Sequence, residues 1–342
     1  MTTSPIPADE PIRVVFLGTP AFSVPTLQAL QSEPRITVCA VVTPPDKPAG
    51  RGKKLTAPPV KETAQSLGLP VHQTASIRKD DALQATLSSL NPHFFVTAAF
   101  GQILSQAVLD IPSHGTVNVH ASLLPAFRGA NPIQHAILQG LPQTGITTML
   151  TDIGVDTGDI LLKRVVPITA EDTTASLTEK MAAAGGPLLV ATLLQRADGS
   201  LASTPQDGAQ ATHAGKCTRE DGWLDWTQPA DALHNRIRAF QPWPATQTRL
   251  GEETLKIIRS TPPGAPAPAS LPSGQPGAIL GASANGLWVQ TGSGPIEILT
   301  LQPPGKATME ARAWFNGIRS RLGQASLRFE PMTTGCGSAP VS

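Results

Sequence analysis

The sequence contains no tyrosine, and aromatic residues make up only 4% of its 342 residues. Its three cysteines, Cys39, Cys217 and Cys336, lie far apart and form no C-x-x-C pair. This spacing argues against a disulfide framework and a structural zinc site, and it favours a reducing compartment, the cytoplasm. Because the formal net charge is only +1, an anionic partner has to be met by a local cluster of cations.

Long apolar runs are missing as well. No stretch approaches the ~20 apolar residues that a membrane helix requires, so no membrane partner is expected. The N-terminal residues MTTSPIPADEP contain prolines and acids and lack the apolar core of a secretion signal. The chain is longer than the ~250 residues at which a single hydrophobic core usually stops growing, which predicts two domains.

The first half of the chain alternates short apolar runs with helical patterns. Together they predict an α/β domain with a doubly wound, mostly parallel sheet, in which ligands bind beyond the carboxyl ends of the strands. The expected strands are 13–18, 36–43, 69–73, 93–100, 115–120, 145–152 and 159–168. The expected helices are 25–32, 60–69, 81–90, 103–111, 132–139 and 176–197, the last one interrupted by Gly185, Gly186 and Pro187.

The second half shows short strands separated by turn residues, a pattern typical of an all-β domain. These strands are expected at 256–260, 277–282, 286–291 and 296–302, with a flexible Pro- and Ala-rich insertion at 261–276. We therefore predict a catalytic domain over 10–200, a linker over 201–216, a β domain over 217–325 and a disordered tail over 326–342.

Asn118 and His120 stand at the end of a predicted strand. Being two residues apart, they project from the same face, whereas Val117 and Val119 project from the other. An amide beside an imidazole suits acyl transfer, because the amide can hold a carbonyl oxygen while the imidazole exchanges protons near neutral pH. A hydrogen-bonded pair with only a structural role is the alternative.

A glycine-rich loop lies further along the chain in the segment TDIGVDTGDILL (151–162). Its acidic residues are Asp152, Asp156 and Asp159. Aspartate often forms turns at such positions, and a carboxylate brought next to His120 would orient the ring and stabilise its protonated form. The spacing of the acids is not that of a calcium loop, and we expect no metal.

The segment PPDKPAGRGKKLTAPPV (44–60) concentrates positive charge in Lys47, Arg51, Lys53 and Lys54. Its prolines remove amide donors and its glycines favour no regular conformation, which predicts a loop rather than a helix or strand. In isolation, a solvated loop is the simplest interpretation of this segment.

Several segments, in their order and spacing, closely resemble the methionyl-tRNA formyltransferase family: GTPAFSVPTL, PPDKPAGRGKKLTAPPVK, NVHASLLPAFRGANPIQ, GVDTGDILL and DWTQPADALHNRIRAFQPWP. The resemblance runs from about residue 12 to about residue 320. It implies a Rossmann-like formyltransferase domain, an OB-like barrel that contacts tRNA, and a monomeric enzyme without metal. The implied reaction transfers the formyl group of 10-formyltetrahydrofolate, a small-molecule folate co-substrate, to the amino group of initiator methionyl-tRNA.

The resemblance also implies site residues. It places catalysis on Asn118, His120 and Asp156, and leaves open which of the last two is the formal base. The implied folate-binding residues are Phe100, Gly101, Gln102, Ile103, Leu104, Ser122, Leu123, Leu124, Pro125 and Asp152. The implied tRNA-binding residues are Lys47, Arg51, Lys53 and Lys54, and the C-terminal domain offers Arg236, Arg238, Arg249, Lys256, Arg259 and Trp243.

Some positions depart from the family pattern. Ala126 replaces the usual basic residue after SLLP, Asn131 replaces an alanine, and AFGQILS (99–105) replaces a segment that usually contains tyrosine. Two other functions stay open on the sequence: a folate-dependent formyltransferase acting on a small amine, and an RNA-binding protein without activity. The cationic segment favours tRNA over a small amine, and the intact Asn118, His120 and Asp156 argue against the inactive protein.

Overall fold

The structure is a computed structural model, and it describes residues 4–49, 52, 54–262, 264, 267–322 and 327–330. The chain divides into two compact units. Unit 1 comprises residues 1–132, 143–167 and 178–214, and unit 2 comprises residues 133–142, 168–177 and 215–342. In the described part of the chain, no helix is long and apolar enough to cross a bilayer.

Unit 1 is built on a seven-stranded sheet. The strands of unit 1 are, in chain order, β1 (Ile12–Gly18), β2 (Ile36–Thr43), β3 (Lys47–Ala49), β4 (Lys54–Thr56), β5 (Val71–Gln73), β6 (Phe94–Ala98), β7 (Thr116–His120), β8 (Arg128–Gly129), β9 (Gln143–Leu150), β10 (Ile160–Pro167) and β11 (His213–Ala214). Of these, β3 pairs with β4 and β8 pairs with β11 outside the seven-stranded sheet. The order in the sheet is β10-β9-β7-β6-β1-β2-β5. Strands β5, β2, β1, β6 and β7 run parallel, whereas β9 and β10 are antiparallel to their neighbours. The predicted mostly parallel sheet is confirmed.

The helices that follow the strands are α1 (Val24–Ser32), α2 (Pro59–Ser66), α3 (Asp81–Ser89), α4 (Gln106–Leu109), α5 (Pro132–Leu138) and α6 (Thr174–Ala197). The expected interruption of α6 was wrong, because the helix continues through Gly185, Gly186 and Pro187. A Cβ at Gly186 would come within 3.0 Å of the carbonyl oxygen of Pro25 in α1. The glycine therefore permits a close helix contact, and this packing outweighs its low helix propensity of about 1 kcal/mol.

Buried apolar side chains on β1 hold one helical layer against the sheet. Val15 and Leu17 belong to a cluster that also contains Leu83 and Leu87 of α3. Cα partners in register place Gly18 beside Ala98 and Ala98 beside Val119, so the carboxyl ends of β1, β6 and β7 meet at one edge. Loops that leave this edge carry the candidate site.

The cationic segment is a hairpin, not a loop. Strand β3 pairs antiparallel with β4, with Lys47 opposite Thr56 and Ala49 opposite Lys54. The prediction failed because proline is tolerated in edge strands, and both strands of a two-stranded ribbon are edges, so Pro48 can pair with Leu55. Arg51 and Lys53 lie outside the described residues.

Unit 2 contains a six-stranded antiparallel sheet and two further helices. Besides most of α5 and the first turn of α6, its helices are α7 (Ala230–Ala239) and α8 (Ala311–Leu322). Its strands are β12 (Thr246–Leu250), β13 (Glu253–Ser260), β14 (Ile279–Ala282), β15 (Leu287–Gln290), β16 (Pro295–Gln302) and β17 (Met309–Glu310). The order is β12-β13-β16-β15-β14, with β17 paired to β16. Among the described residues this pairing leaves the sheet open instead of closing it into a barrel, and α7 and α8 show that the unit is not all-β.

Three aromatic rings stack within the otherwise aliphatic core of unit 2. The ring of Phe329 stacks on Trp226 at 5.3 Å and on Trp314 at 6.2 Å between centroids. The Phe329 side chain is fully buried, and its amide donates to the carbonyl of Gly277. The expected disorder from residue 326 was therefore wrong for 327–330, because a single apolar side chain that joins a core orders its neighbours. Residues 326 and 331–342 lie outside the described residues.

Candidate active site

Strand β7 delivers Asn118 and His120 to the loop edge of the sheet. Val117 and Val119 are buried on its opposite face, as the alternation of side chains along a strand requires. Asn118 is half-buried, and only 6% of the His120 surface is exposed. Both polar side chains therefore have fixed positions at the end of the strand.

The carboxamide of Asn118 is oriented from the neighbouring strand. Thr97 of β6 is the register partner of Asn118, and its hydroxyl donates to Asn118 Oδ1 at 2.9 Å. In the described part of the chain, no acceptor is recorded for Asn118 Nδ2. The hydrogen bond from Thr97 therefore fixes which end of the carboxamide is the acceptor and leaves Nδ2 as the donor end.

His120 lies between two acceptors. Its Nε2 is 2.9 Å from the carbonyl oxygen of Phe127, and its Nδ1 is 3.5 Å from Asp156 Oδ2. A neutral imidazole has one N–H, which Nε2 can donate to Phe127. Nδ1 is then free to accept a proton, and the charge so formed faces the Asp156 carboxylate.

Asp156 reaches His120 from the glycine-rich loop. Its backbone is left-handed, with φ of 54°, a conformation that is uncommon for a residue other than glycine. Asp156 Oδ2 also accepts the backbone N–H of Gly129 at 2.8 Å. A second partner on the same carboxylate limits the rotation of the side chain toward His120.

Two family models match this chain, one over its first part and one over its second. Residues 12–193 match the family model described as formyl transferase, and residues 216–319 match the one described as formyl transferase, C-terminal domain. A methionyl-tRNA formyltransferase of Synechococcus sp. (strain JA-3-3Ab) is 46% identical over 322 residues, which cover 93% of this chain and 98% of the relative. That of Pseudomonas syringae pv. syringae (strain B728a) is 44% identical over 315 residues, with 92% and 97% covered.

The chain belongs to the methionyl-tRNA formyltransferase family.

A solved structure with the same fold is more distant in sequence. The N-formyltransferase from Helicobacter canadensis, solved with folinic acid and dTDP-3-aminofucose, superposes with a TM-score of 0.61 at 17% identity. The alignment covers 86% of this chain and 99% of that chain. At this identity the likeness shows that the formyltransferase fold is shared.

The residues predicted to bind folate after β6 have different surroundings in the structure. Phe100 and Leu104 are buried in the core cluster, whereas Ile103 is 66% exposed. The side chain of Gln102 accepts from the amide of Ile77 and donates to the carbonyl of Thr74. Gly101 is exposed and left-handed, with φ of 78°. Of this group, Gly101 and Ile103 are exposed, Gln102 is half-buried, and Phe100 and Leu104 are buried.

The segment after β7 is held mainly by internal bonds. Ser122 and Leu124 are fully buried, and the Ser122 hydroxyl donates to the carbonyl of Ala126 at 2.5 Å. Thr147 of β9 donates to the carbonyl of Ser122 and accepts the amide of Leu124. Leu123 and Pro125 are half-buried and remain the accessible members of this predicted group.

Asp152 forms its hydrogen bonds within its own loop and not with His120. It accepts the amide of Gly154 at 3.0 Å and the hydroxyl of Thr157 at 2.7 Å, which is the turn-forming role considered for these acids. Asp159 likewise accepts the hydroxyl of Ser203 at 2.8 Å. Asp156 is therefore the loop acid that the structure brings to the imidazole. No group of three or more side chains suited to hold a metal ion occurs within the described ranges.

The described cations of the hairpin are exposed. Lys47 and Lys54 form no recorded ion pair in the described part of the chain. At the base of the hairpin, Asp46 accepts from Lys61 Nζ at 2.8 Å and from Gln73 Nε2 at 2.8 Å. The Lys61 hydrogen bond, followed by the one from Gln73, lowers the pKa of Asp46.

Two of the C-terminal cations named from the sequence have structural roles. Arg238 is buried and donates to the carbonyls of Thr169 and Asp172, and Arg236 donates to the carbonyl of Asp221. Burial lowers the pKa of both guanidinium groups. The exposed candidates in unit 2 are Arg249, Lys256, Arg259 and Trp243, and Arg249 stacks on Trp223 at 5.6 Å.

Sequence reasoning missed Thr97 and the segment 203–214. That segment lies wholly within the linker expected over 201–216, but in the structure it belongs to unit 1 and forms hydrogen bonds with the site loops. Thr212, for example, accepts the amide of Phe127 at its hydroxyl and the amide of Arg128 at its carbonyl. Thr97 was detectable as a polar residue in an apolar strand beside Asn118, whereas the segment 203–214 carried no signal beyond its polarity.

Proposed function

We propose that this protein transfers the formyl group of 10-formyltetrahydrofolate to the amino group of initiator methionyl-tRNA. The observation that carries the proposal is the placement of His120 between the Phe127 carbonyl and the Asp156 carboxylate, beside Asn118, in a chain whose full-length relatives are methionyl-tRNA formyltransferases. The reaction needs a donor for an oxyanion and a group that moves a proton, and these residues supply both.

Asn118 stabilises the charge that develops on the formyl oxygen. When the amine attacks the formyl carbon, the carbonyl electrons move onto that oxygen. Because Thr97 occupies Asn118 Oδ1, the Nδ2 donors are available to this oxygen. A well-placed donor of this kind lowers the barrier by roughly 3 kcal/mol.

His120 transfers the proton. Its Nε2–H donates to Phe127, so Nδ1 is the nitrogen that accepts a proton from the attacking amine. The Asp156 carboxylate stabilises the resulting imidazolium. The proton then passes to N10 of the folate as the bond from N10 to the formyl carbon breaks, which leaves tetrahydrofolate with an N10–H and formylated methionyl-tRNA.

The exposed hairpin supports tRNA rather than a small amine as the acceptor. Lys47 and Lys54 stand in solvent, where they can meet phosphates of an acceptor stem. Arg51 and Lys53 add charge to the same segment of the sequence. A small amine substrate would need no such projection.

The test is formylation of charged initiator tRNA by the purified protein with 10-formyltetrahydrofolate. We expect rapid formation of formylmethionyl-tRNA, slower reaction with elongator methionyl-tRNA, and no product from glycinamide ribonucleotide or a nucleotide-linked amino sugar. Faster turnover of either small amine would assign the protein to the alternative function, and absence of any product from folded protein would refute formyl transfer.

A further inference from the structure

Gln206 connects the two loops that face His120. It is half-buried in the segment 203–214, to which neither the sequence nor the proposed function assigns a role. Its Nε2 donates to the carbonyls of Asp156 at 2.9 Å and Gly158 at 2.7 Å. Its Oε1 accepts from Arg128 Nε at 3.1 Å and from Arg128 Nη2 at 2.8 Å.

The amide of Gln206 has only one orientation that satisfies these partners. Rotation of the carboxamide by half a turn would place its oxygen against two carbonyl oxygens and its NH2 group against a guanidinium. Each polar atom of the side chain is therefore used. Arg128 is itself buried, so its paired donors would lack a partner if Gln206 were lost.

Gln206 joins the two segments that contact His120: the segment around Arg128 and the loop that carries Asp156. Arg128 stands between Phe127, whose carbonyl meets His120 Nε2, and Gly129, whose amide meets Asp156 Oδ2. On the other side, Gln206 holds the backbone of Asp156 itself. One side chain thus fixes the acid relative to the backbone that orients the imidazole.

Asp156 needs such a constraint. Its left-handed backbone costs roughly 1 kcal/mol or more for a residue other than glycine. The neighbouring side chains Ile153 and Val155 are 74% and 64% exposed, so they add little packing that would hold the loop. The donors of Gln206 on the carbonyls at 156 and 158 compensate for this lack of buried neighbours.

We propose that Gln206 is a positioning residue for formyl transfer, which holds the Asp156 carboxylate against His120 by joining the loop 151–158 to Arg128. The catalytic role of Gln206 rests on the proposed function. The clamp, by which we mean the hydrogen bonds of Gln206 to Arg128, Asp156 and Gly158, can also be tested without measuring activity. Gly129 N–H donates to the Asp156 side chain, whereas the flanking amides of Arg128 and Ala130 donate to the carbonyls of Thr212 and Ala214.

The decisive variant is Gln206→Glu. A carboxylate at this position still accepts from Arg128, yet it has no N–H for the carbonyls of Asp156 and Gly158. Hydrogen exchange of individual amides, followed by NMR, compares this variant with the unaltered protein. We expect exchange of the Gly129 amide to accelerate about tenfold or more, the scale of losing a bond to a charged acceptor, with Arg128 and Ala130 changed by less than about twofold.

Gln210→Glu provides the matched control. Gln210 is exposed in the same segment, and its side chain donates only to Asp207 among the described residues. The control makes the same change of charge, and we expect it to leave the Gly129 amide as it was. Equal exchange of Gly129 in Gln206→Glu and in the unaltered protein would overturn the inference.

Turnover supplies the second measurement. For Gln206→Glu we expect kcat to fall about tenfold while KM for methionyl-tRNA stays within about twofold, because a displaced acid slows the chemical step without altering how tRNA is bound. A kcat within about twofold of the unaltered enzyme would also overturn the inference. If the unaltered protein forms no formylmethionyl-tRNA, the proposed function fails, and the exchange of Gly129 still decides whether the clamp exists.

Discussion

The surroundings of His120 and the hairpin β3–β4 both serve the proposed function, but they differ in how many hydrogen bonds hold them and in how exposed they are. Around His120 nearly every polar group has a partner: the ring meets Phe127 and Asp156, and Gly129 meets Asp156 in turn. The hairpin β3–β4 is exposed on both strands and is fastened at its base through Asp46. Hydrogen bonds from several segments hold the first region, whereas the described cations of the hairpin, Lys47 and Lys54, are exposed.

The difference reflects two physical demands. Proton transfer and oxyanion stabilisation are sensitive to changes in donor–acceptor distance of a few tenths of an ångström. The groups involved must therefore be held in position before the substrate arrives. Attraction of a polyanion acts over the Debye length of about 10 Å and tolerates movement of the charges. The structure therefore predicts that substitutions in the first region change kcat, and substitutions in the second change the use of tRNA.

The largest effect is expected for His120→Ala. Loss of the proton-transfer group should lower kcat by about 10³-fold, the middle of the range for general acid–base catalysis. Initiator tRNA should bind with a Kd within about twofold, since only 6% of the His120 surface is exposed and the ring offers little contact area to the tRNA. Single-turnover formylation and a binding titration measure the two quantities.

His72→Ala is the control for this experiment, because His72 lies on β5 at the far edge of the sheet. It should retain both turnover and binding. A loss of tRNA affinity in His120→Ala as large as its loss of turnover would show that the ring supports binding rather than chemistry.

Removal of the hairpin charges should produce the next largest effect. The variant with Lys47, Arg51, Lys53 and Lys54 changed to alanine should raise KM for methionyl-tRNA about tenfold or more. The dependence of log KM on log salt should become shallower by about one unit for each phosphate that the hairpin no longer neutralises. KM for the formyl donor and kcat at saturating tRNA should stay near their original values.

Changing Arg78 and Lys79 to alanine tests whether general loss of positive charge explains the result. Both side chains are exposed, and they lie between β5 and α3. An equal rise in KM from this pair would contradict a specific role of the hairpin.

A smaller effect is expected for Thr97→Val. The variant keeps the shape of the side chain and removes the hydroxyl that donates to Asn118 Oδ1. A neutral hydrogen bond is worth about 1 kcal/mol, so kcat should fall about fivefold as the carboxamide loses its preferred orientation. Thr97→Ser keeps the donor and should restore most of kcat, and failure of this rescue would mean that packing, not orientation, explains the loss.

The smallest effect is expected at the base of the hairpin. Lys61→Met removes the principal hydrogen bond to Asp46, and we expect KM for methionyl-tRNA to rise about twofold, the scale of an exposed ion pair. The pKa of Asp46 should return toward its ordinary value, because Lys61 is the largest cause of its lowering. NMR titration of Asp46 follows this change. A fall in kcat with KM unchanged would show instead that the hairpin base is coupled to the site.

Apolar patterns in the sequence predicted most of the architecture of unit 1. Strand 36–43 was predicted with its observed bounds, strand 115–120 was one residue too long at its start, and strand 159–168 was one residue too long at each end. Buried parallel strands are nearly continuous apolar runs, so composition alone marks them. Asn118 and His120 could be paired from the strand period of two residues, and Asp156 was one of three possible loop acids.

Contacts between distant segments determine which acid lies next to His120 and which groups hold it there. Asp152 and Asp156 lie in the same glycine-rich loop, yet one closes a turn and the other meets the imidazole, because Gly129 and Gln206 hold it there. These partners come from segments far apart in the chain. Local periodicity carries no information about such pairings, for the same reason that it missed Phe329 in the core of unit 2. Backbone propensity describes what a segment can form, whereas long-range hydrogen bonds and packing decide which polar groups meet.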